Sequence, residues 1–246
     1  MLKDKFAIIT GSNRGIGLSV LKKFSENNAN IIACARKKNE QFEKEINSIS
    51  KKFKNKIVPI YFDLLKEEEI NKAVDQIKKI TDSVDIIVNN AGINQVSLFQ
   101  MTTLKVIREV FEVNLFSQMF FTQKLIKLMM KNKKGSIINV SSNAAKNCDS
   151  GRVAYASSKS ALIAFTKVIS KELGNFNIRV NSVAPGLTKT EMIEKDMKPN
   201  VIENVIKQIP MKRIANPNEI SNVILFLASD LSSYVSGETI SITGGY

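Results

Sequence analysis

Tyr155 and Lys159 are four residues apart, the spacing that places two side chains on one face of a helix. A free phenol has a pKa of about 10 and transfers protons poorly at neutral pH. A neighbouring ammonium group stabilises the phenolate, so the pair predicts a tyrosine with a lowered pKa. Such a tyrosine suits proton transfer to or from a substrate oxygen. Two solvated side chains at this spacing are the alternative interpretation.

The sequence contains no histidine. This excludes Ser-His-Asp and Cys-His catalysis, histidine metal centres and dehydrogenases that use a histidine base. The two cysteines, Cys34 and Cys148, form neither a disulfide framework nor a zinc-binding spacing. Acid–base chemistry near neutral pH therefore needs a perturbed tyrosine, lysine, cysteine or carboxylate, and no metal is expected.

A glycine-rich segment joins the first predicted strand to the first predicted helix. Glycines at such a place let the strand turn sharply, bring its backbone close to a pyrophosphate and start a helix whose amides face the anion. The segment therefore predicts a dinucleotide-binding loop. Its candidate cofactor ligands are Gly11, Ser12, Asn13, Arg14, Gly15, Ile16 and Gly17.

The end of the second predicted strand carries Arg36, and no acidic residue appears before Glu40. NAD-binding proteins usually place an acid here to hold the ribose hydroxyls, whereas an arginine suits the 2′-phosphate of NADP. Arg14 and Arg36 together therefore favour NADP(H) over NAD(H). Two ordinary surface arginines are the alternative.

Short apolar runs alternate with longer helical patterns, which is typical of a parallel sheet covered by helices on both faces. We therefore predict an α/β fold: a single domain over residues 1–246 with a doubly wound (Rossmann) seven-stranded parallel sheet. The predicted strands are Phe6–Thr10, Asn30–Ala35, Lys56–Phe62, Ile86–Asn89, Ser136–Val140, Arg179–Val183 and Thr239–Thr243. The predicted helices are Gly15–Asn27, Glu40–Lys52, Lys66–Ile80, Leu104–Lys131 (as two helices), Val153–Leu173, Glu191–Gln208 and Pro217–Ala228.

The stretch Val110–Met130 is apolar almost all round. A single stripe facing a sheet would need less apolar surface than this. A subunit interface on the outer face is the favoured interpretation, and a purely internal core is the alternative.

These motifs resemble those of the short-chain dehydrogenase/reductase family. They follow the family's order along nearly the whole chain: Thr10-Gly11-x-x-x-Gly15-Ile16-Gly17, Asn89-Asn90-Ala91-Gly92, Asn114, Ser142, Tyr155-x-x-x-Lys159 and Pro185-Gly186. The resemblance implies that Tyr155 exchanges a proton with a carbonyl oxygen as hydride is transferred, and that Ser142 orients this oxygen. It implies that Lys159 lowers the pKa of Tyr155 and binds the nicotinamide ribose, and that Asn114 holds a water in a proton relay. Ser142 is preferred to its neighbour because it has the family's usual spacing from the tyrosine.

The resemblance also implies further contacts with NADP(H). Adenine would be contacted at the end of the third strand, its ribose after the fourth strand, and the nicotinamide amide and pyrophosphate after the sixth. The residues implied are Asp63, Leu64, Asn90, Ala91, Gly92, Pro185, Gly186, Thr188 and Thr190, in addition to Tyr155 and Lys159.

Within the family, the chain most resembles the 3-oxoacyl-[acyl-carrier-protein] reductases of fatty-acid synthesis. Its net charge of +13 suits an acidic acyl carrier protein. Two features depart from the resemblance: the segment Ile93–Ser97 differs from the usual run, and Phe176 stands where a basic docking residue is common. Lys133 is the alternative docking cation. Residues 187–210 are expected to form a mobile substrate lid, with an apolar wall from Met192, Ile193 and Met197.

Other functions stay open at this point. A sugar, nucleotide-sugar or small-alcohol dehydrogenase of the same family is one alternative, and an NADP-sensing or nucleic-acid-binding protein on the same fold is another. The positive charge is spread over many elements without interleaved aromatics, so no nucleic acid is expected as a partner. No apolar run is long enough to span a membrane and the first residues do not resemble a signal peptide, so a cytoplasmic protein without membrane contact is expected. The family resemblance implies a homotetramer.

Overall fold

A computed structural model describes residues 1–197 and 199–246. Seven parallel strands form one sheet in the order β3-β2-β1-β4-β5-β6-β7, which confirms the predicted fold. Predicted and observed strand ends agree to within one or two residues. The strands are β1 (Phe6–Thr10), β2 (Asn30–Ala35), β3 (Ile57–Tyr61), β4 (Ile86–Asn89), β5 (Gly135–Val140), β6 (Ile178–Pro185) and β7 (Thr239–Ile242).

The helices between the strands are α1 (Gly15–Glu26), α2 (Glu40–Phe53), α3 (Glu67–Ile80), α4 (Leu104–Phe111), α5 (Ser117–Lys131), α6 (Ala144–Asn147), α7 (Val153–Leu173), α8 (Glu191–Asp196), α9 (Pro199–Gln208) and α10 (Pro217–Ala228). Apart from α6, which is not predicted, and a predicted helix that is divided into α8 and α9, the helices begin and end near the predicted residues. None of the helices in the described ranges has the length and apolar character needed to cross a membrane.

Local sequence explains several helix starts. The Asn39 side chain accepts a hydrogen bond from the Phe42 amide at 3.1 Å and so caps α2. Pro217 occupies the first turn of α10, where its missing amide proton costs nothing. The predicted helix Glu191–Gln208 is instead two helices, since Pro199 favours a first turn and disfavours a helix interior. Lys198, which the prediction placed inside that helix, lies outside the described residues.

Two hydrophobic clusters cover the two faces of the sheet. On one face, α1, α2 and α10 pack against the strands, with Leu21 and Phe24 fully buried. On the other, α3, α5 and the end of α7 do so, with Ile77 and Phe121 fully buried. Each such side chain contributes roughly 1.5–3 kcal/mol by leaving water. Burial on both faces explains why the strands are apolar without alternation.

The strand order reverses at β1, which pairs with β2 on one side and with β4 on the other. Helices leave for opposite faces at such a point, so a crevice opens at the carboxyl ends of the two central strands. The glycine-rich segment follows β1, and Asn90-Ala91-Gly92 follows β4. The fold therefore brings both motifs to the same crevice.

A π-helical turn, Glu112–Phe116, separates α4 from α5. It contains Asn114, whose carboxamide pairs with the backbone of Ile93: the Ile93 amide donates to Oδ1 at 2.8 Å, and Nδ2 donates to the Ile93 carbonyl at 3.0 Å. Such turns often occur at functional sites. The face of α5 that contains Phe121 is buried in the core, whereas Phe116 is 51% and Met119 36% exposed.

Candidate active site

A cavity of about 1100 Å³ lies at the carboxyl ends of the strands. Its walls come from the segments that follow β1 to β6 and from α8 and α9. Most of the predicted site residues line it: Gly11, Asn13, Arg14, Gly15, Ile16, Arg36, Asp63, Leu64, Asn90, Ala91, Gly92, Ser142, Tyr155, Lys159, Pro185, Gly186, Thr188 and Thr190. The predicted lid residues Met192, Ile193 and Met197 line it too.

Close packing explains the glycines of the loop after β1. Gly11 has a φ of +65°, and a Cβ atom there would lie 2.9 Å from the Ala91 Cα. A Cβ atom on Gly17 would lie 2.1 Å from the Gly11 carbonyl oxygen, which no side chain could tolerate. Gly17 therefore supports the loop from behind instead of lining the cavity.

Ser12 also faces away from the cavity. Its amide and its hydroxyl both donate to the Cys34 carbonyl at 3.0 Å, and the residue is fully buried. This pairing ties the loop to the end of β2. Ser12 was predicted as a cofactor ligand, but its side chain is already committed to this structural contact.

Positive charge is concentrated at the end of the crevice beside the segment that follows β2, where Arg14, Arg36, Lys37 and Lys38 line the wall. Arg14 pairs with Glu191 at 3.5 Å, and both side chains are mostly exposed. Within the described ranges, Arg36 and Lys37 have no ion-pair partner. This end of the cavity fits an anionic group.

Tyr155 and Lys159 lie near Ser142 deeper in the cavity. Ser142 follows β5, and Tyr155 and Lys159 lie in the first turns of α7. The Ser142 hydroxyl is close enough to the phenol to act on the pKa of Tyr155. Lys159 donates from Nζ to the Val140 carbonyl at 2.8 Å, and this Nζ lies 6.0 Å from the centre of the Tyr155 ring. The serine and tyrosine hydroxyls can together bind one substrate oxygen.

The pKa values of the pair differ from the sequence-based expectation. Burial raises the pKa of Tyr155, although the hydrogen bond with Ser142 and the positive charge of Arg152 act in the opposite direction. Burial also lowers the pKa of Lys159 to about 8. The predicted lowering of the tyrosine pKa does not occur here, because burial of the phenol outweighs the nearby donors.

Asn114 is fully buried and does not line the cavity. Besides its contacts with Ile93, its Nδ2 donates to the Ser158 hydroxyl at 3.2 Å. A Cβ atom on Gly92 would lie 3.1 Å from Asn114 Oδ1 and 3.4 Å from Lys159 Nζ. Asn114 and Lys159 thus approach the same point of the backbone.

Comparison with known proteins shows the family of the chain. A family model described as enoyl-(acyl carrier protein) reductase matches residues 11–246. The 3-oxoacyl-[acyl-carrier-protein] reductase FabG of Aquifex aeolicus (strain VF5) is 37% identical over 244 residues, covering 99% of this chain and 98% of that protein. The 3alpha-hydroxysteroid dehydrogenase of Mediterraneibacter gnavus is 36% identical over 245 residues, covering 99% and 97%. The chain belongs to the short-chain dehydrogenase/reductase family.

A solved structure of another reductase has a closely similar fold. The structure of L-sorbose reductase from Gluconobacter frateurii, complexed with NADPH and L-sorbose, matches with a TM-score of 0.92 at 27% identity, covering 99% of this chain and 97% of that one. Membership of the family identifies the chain as an oxidoreductase.

Gln95 was not among the predicted site residues. Its side chain is buried, with 6% exposed. Its Oε1 accepts from the Ala154 amide at 3.2 Å, and its Nε2 donates to the Ser97 carbonyl at 3.0 Å and to the Thr102 hydroxyl at 3.2 Å. Gln95 thereby links the segment after β4 to the start of α7. The signal available in the sequence was the departure of Ile93–Ser97 from the family's usual run.

Sequence reasoning also left out Arg152, which lies one helical turn before Tyr155 and lines the cavity. It belongs to none of the sequence motifs, so neither spacing nor the family resemblance points to it. The predicted docking cation Lys133 precedes β5 at the amino ends of the strands and is not a cavity residue. The cavity lies at the other ends of the strands, so the two are separated by the length of the sheet.

Proposed function

We propose that this short-chain dehydrogenase/reductase is an NADPH-dependent carbonyl reductase, and that its substrate is a 3-oxoacyl thioester of an acyl carrier protein. The observation that carries the reaction type is that Ser142, Tyr155 and Lys159 line the same cavity as the glycine loop. Relatives named 3-oxoacyl-[acyl-carrier-protein] reductase, at 37% and 36% identity, support the substrate.

In the proposed reaction, NADPH when bound supplies the hydride. Ser142 and Tyr155 donate hydrogen bonds to the carbonyl oxygen and stabilise the negative charge that develops there. The phenol proton of Tyr155 passes to this oxygen, which leaves a phenolate. The raised pKa of Tyr155 keeps the phenol protonated at neutral pH, the state that reduction requires.

Lys159 has two proposed roles. Its Nζ would bind the nicotinamide ribose, and its pKa of about 8 lets it return a proton to the phenolate near neutral pH. Asn114 approaches Lys159 beside Gly92. It would hold the water that carries protons to Lys159. The contacts of its carboxamide with Ile93 keep the π-helical turn in place for this role.

The 2′-phosphate of NADPH would bind Arg14 and Arg36 at the cationic end of the cavity. The rest of the cofactor would follow the crevice past residues after β3, β4 and β6. We propose these as its contacts: Gly11, Asn13, Gly15, Ile16, Asp63, Leu64, Asn90, Ala91, Gly92, Pro185, Gly186, Thr188 and Thr190. Binding of a 2′-phosphate at Arg36 is supported by the absence of any acidic residue between Arg36 and Glu40.

Residues 1–246 would act as one domain, in which residues 187–210 close over the substrate. The proposed lid presents Met192, Ile193 and Met197 to the cavity, which suits an acyl chain. We further propose a homotetramer in the cytoplasm, supported by the exposed Phe116 and Met119 on the outer face of α5 and the π-helical turn.

Tyr155→Phe tests the reaction type. We expect turnover of acetoacetyl thioesters to fall by about 10²–10⁴-fold, because the proton donor is lost. The dissociation constant of NADPH, measured by fluorescence titration, should stay within about threefold because the phenol ring is retained. Tyr234→Phe, at a fully exposed tyrosine, is the matched control and should behave as the wild type. Wild-type rates in Tyr155→Phe would show that the mechanism is wrong.

A substrate panel tests the second part of the proposal. Oxidation of NADPH would be followed with acetoacetyl thioester, crotonyl thioester and L-sorbose. We expect the highest kcat/KM with the acetoacetyl compound. Turnover of crotonyl thioester alone would point to reduction of a carbon–carbon double bond, and turnover of L-sorbose alone to a sugar reductase.

A further inference from the structure

Arg152 stands where the substrate part of the cavity meets the lid. It precedes the first residue of α7 and lies one helical turn before Tyr155, so its side chain starts on the same side of the helix as the phenol. Its Nη2 reaches across to the Met197 sulfur at 3.7 Å. The guanidinium group therefore lies between the proton donor and the apolar wall of the lid.

The guanidinium of Arg152 lacks a suitable acceptor among the described residues. A guanidinium has five N–H donors, and a thioether sulfur is a weak acceptor. The residue is only partly exposed, so water satisfies these donors less fully than it would at the surface. Asp149 also lines the cavity but is exposed, and it forms no ion pair with Arg152 within 4.0 Å.

The other charges that face this part of the cavity do not neutralise Arg152. Lys159, on the same helix, is itself a cation. Glu109 and Glu191 line the cavity from α4 and α8, and Glu191 pairs with Arg14. Among the side chains that the structure describes, the substrate part of the cavity thus combines the guanidinium of Arg152, which has no carboxylate partner, with apolar side chains.

We propose that Arg152 binds a carboxylate of the substrate, placed a few bonds from the carbonyl that Tyr155 protonates. Guanidinium and carboxylate match in shape and can form two parallel hydrogen bonds. The substrate class is then a short keto acid with an apolar remainder that packs on Met192, Ile193 and Met197. This inference rests on the proposed carbonyl reduction, but it extends the substrates from neutral thioesters to free keto acids.

Binding of a carboxylate there has a second consequence for the proton donor. The positive charge of Arg152 lowers the pKa of Tyr155, so pairing it with an anion weakens that effect. The phenol then holds its proton to higher pH while substrate is bound. Substrate charge and proton donation are thereby coupled through one side chain.

Acetoacetate and methyl acetoacetate are a matched test pair, because they differ in charge and by one methyl group. With NADPH, the wild type is expected to reduce acetoacetate with a kcat/KM at least about tenfold higher than the ester. Arg152→Gln should lower kcat/KM for acetoacetate by about 30-fold and for the ester by less than about threefold. Arg152→Lys keeps the charge, so its kcat/KM for acetoacetate should lie between those of the wild type and Arg152→Gln. Lys167→Gln, an exposed cation on the same helix, is the control.

The ratio of acid to ester separates substrate binding from damage to α7, since a displaced Tyr155 would slow both substrates alike. Equal losses on both substrates in Arg152→Gln would overturn the proposal, as would a wild type that prefers the ester. Should the wild type reduce acetoacetyl thioester but neither small compound, this proposal fails while the proposed function stands. If none of the three is reduced, both fail.

Discussion

Burial shifts the pKa values of Tyr155 and Lys159 in opposite directions. It favours the neutral form of each, so the phenol keeps its proton and the lysine loses its proton more readily. A proposed acid that stays protonated next to an amine with a pKa of about 8 is arranged for delivery of a proton and its replacement. The i, i+4 spacing predicts only that the two residues are close, because burial depends on α7, β5 and the lid together.

Arg36 offers a direct test of cofactor choice. In Arg36→Asp, attraction for a 2′-phosphate becomes repulsion, so we expect kcat/KM for NADPH to fall by about tenfold while that for NADH changes by less than about threefold. Steady-state kinetics with both cofactors measure the ratio. Lys44→Asp makes the same charge change at an exposed position of α2 outside the cavity and serves as the control. An unchanged NADPH/NADH ratio would remove Arg36 from the proposed phosphate site.

Where a motif fixes the backbone, the sequence indicates which residues come together. Most of the glycine loop, Ser142 and the Tyr155–Lys159 pair line one cavity. Ser12, Gly17 and Asn114 lie outside it, because side-chain direction within a motif depends on contacts with distant residues such as Cys34 and Ile93. Arg152 and Gln95 belong to no motif, so spacing alone could not single them out.

At the scale of elements, two hydrogen bonds join the segment after β4 to the start of α7. Gln95 accepts from the Ala154 amide, and the Ser97 amide donates to the Gly151 carbonyl at 3.0 Å. The first amides of a helix lack partners within it, so Gln95 acts as a cap from outside the helix. Since Tyr155 follows immediately, we infer that Gln95 is a positioning residue for the phenol.

Gln95→Met keeps the length of the side chain but removes its hydrogen bonds. We expect kcat to fall by about tenfold, because the Ala154 amide loses its acceptor and the start of α7 shifts. The dissociation constant of NADPH should not change, and Gln95→Glu, which retains an acceptor, should recover most of kcat. Gln100→Met, at an exposed neighbouring position, is the control. A Met variant with wild-type kcat, or a Glu variant as slow as Met, would contradict the positioning role.

Element types and order follow from the sequence because burial on both sheet faces leaves a strong apolar pattern. Helix interruptions were harder to place. The π-helical turn Glu112–Phe116 has no local breaker residue, and contacts between Asn114 and Ile93 accompany it. The short helix α6 was not predicted, since four residues carry too little periodicity to be recognised.

For the molecule as a whole, Lys159 reduces stability at neutral pH. Its pKa drops from the ordinary lysine value of 10.5 to about 8 on folding, so the unfolded chain binds the proton more tightly between these values. Stability contributed by this group is therefore absent below about pH 8 and is gained as pH rises to about 10.5. The gain is about 3 kcal/mol in the free energy of unfolding.

Lys159→Met removes this titration. We expect the free energy of unfolding of the wild type, relative to the variant, to rise by about 3 kcal/mol between pH 8 and pH 10.5. Urea denaturation at a series of pH values measures the difference, in which the titration of all other groups largely cancels. Lys167→Met, at an exposed lysine of the same helix, should show no such change. If the difference in the free energy of unfolding between the wild type and Lys159→Met did not depend on pH, folding would not lower the pKa of Lys159.

The pairing of β1 with both β2 and β4 also has a consequence for how the chain acquires its site. The β1–β2 pair joins segments that are close in sequence, whereas Ala7 meets Ile86 only after most of the first 90 residues are available. Contacts of such sequence separation form slowly. All residues of β1, β2 and β4 nevertheless precede Ser142 and Tyr155 in the chain, so during synthesis the strands that form the crevice are made before the two proposed catalytic residues.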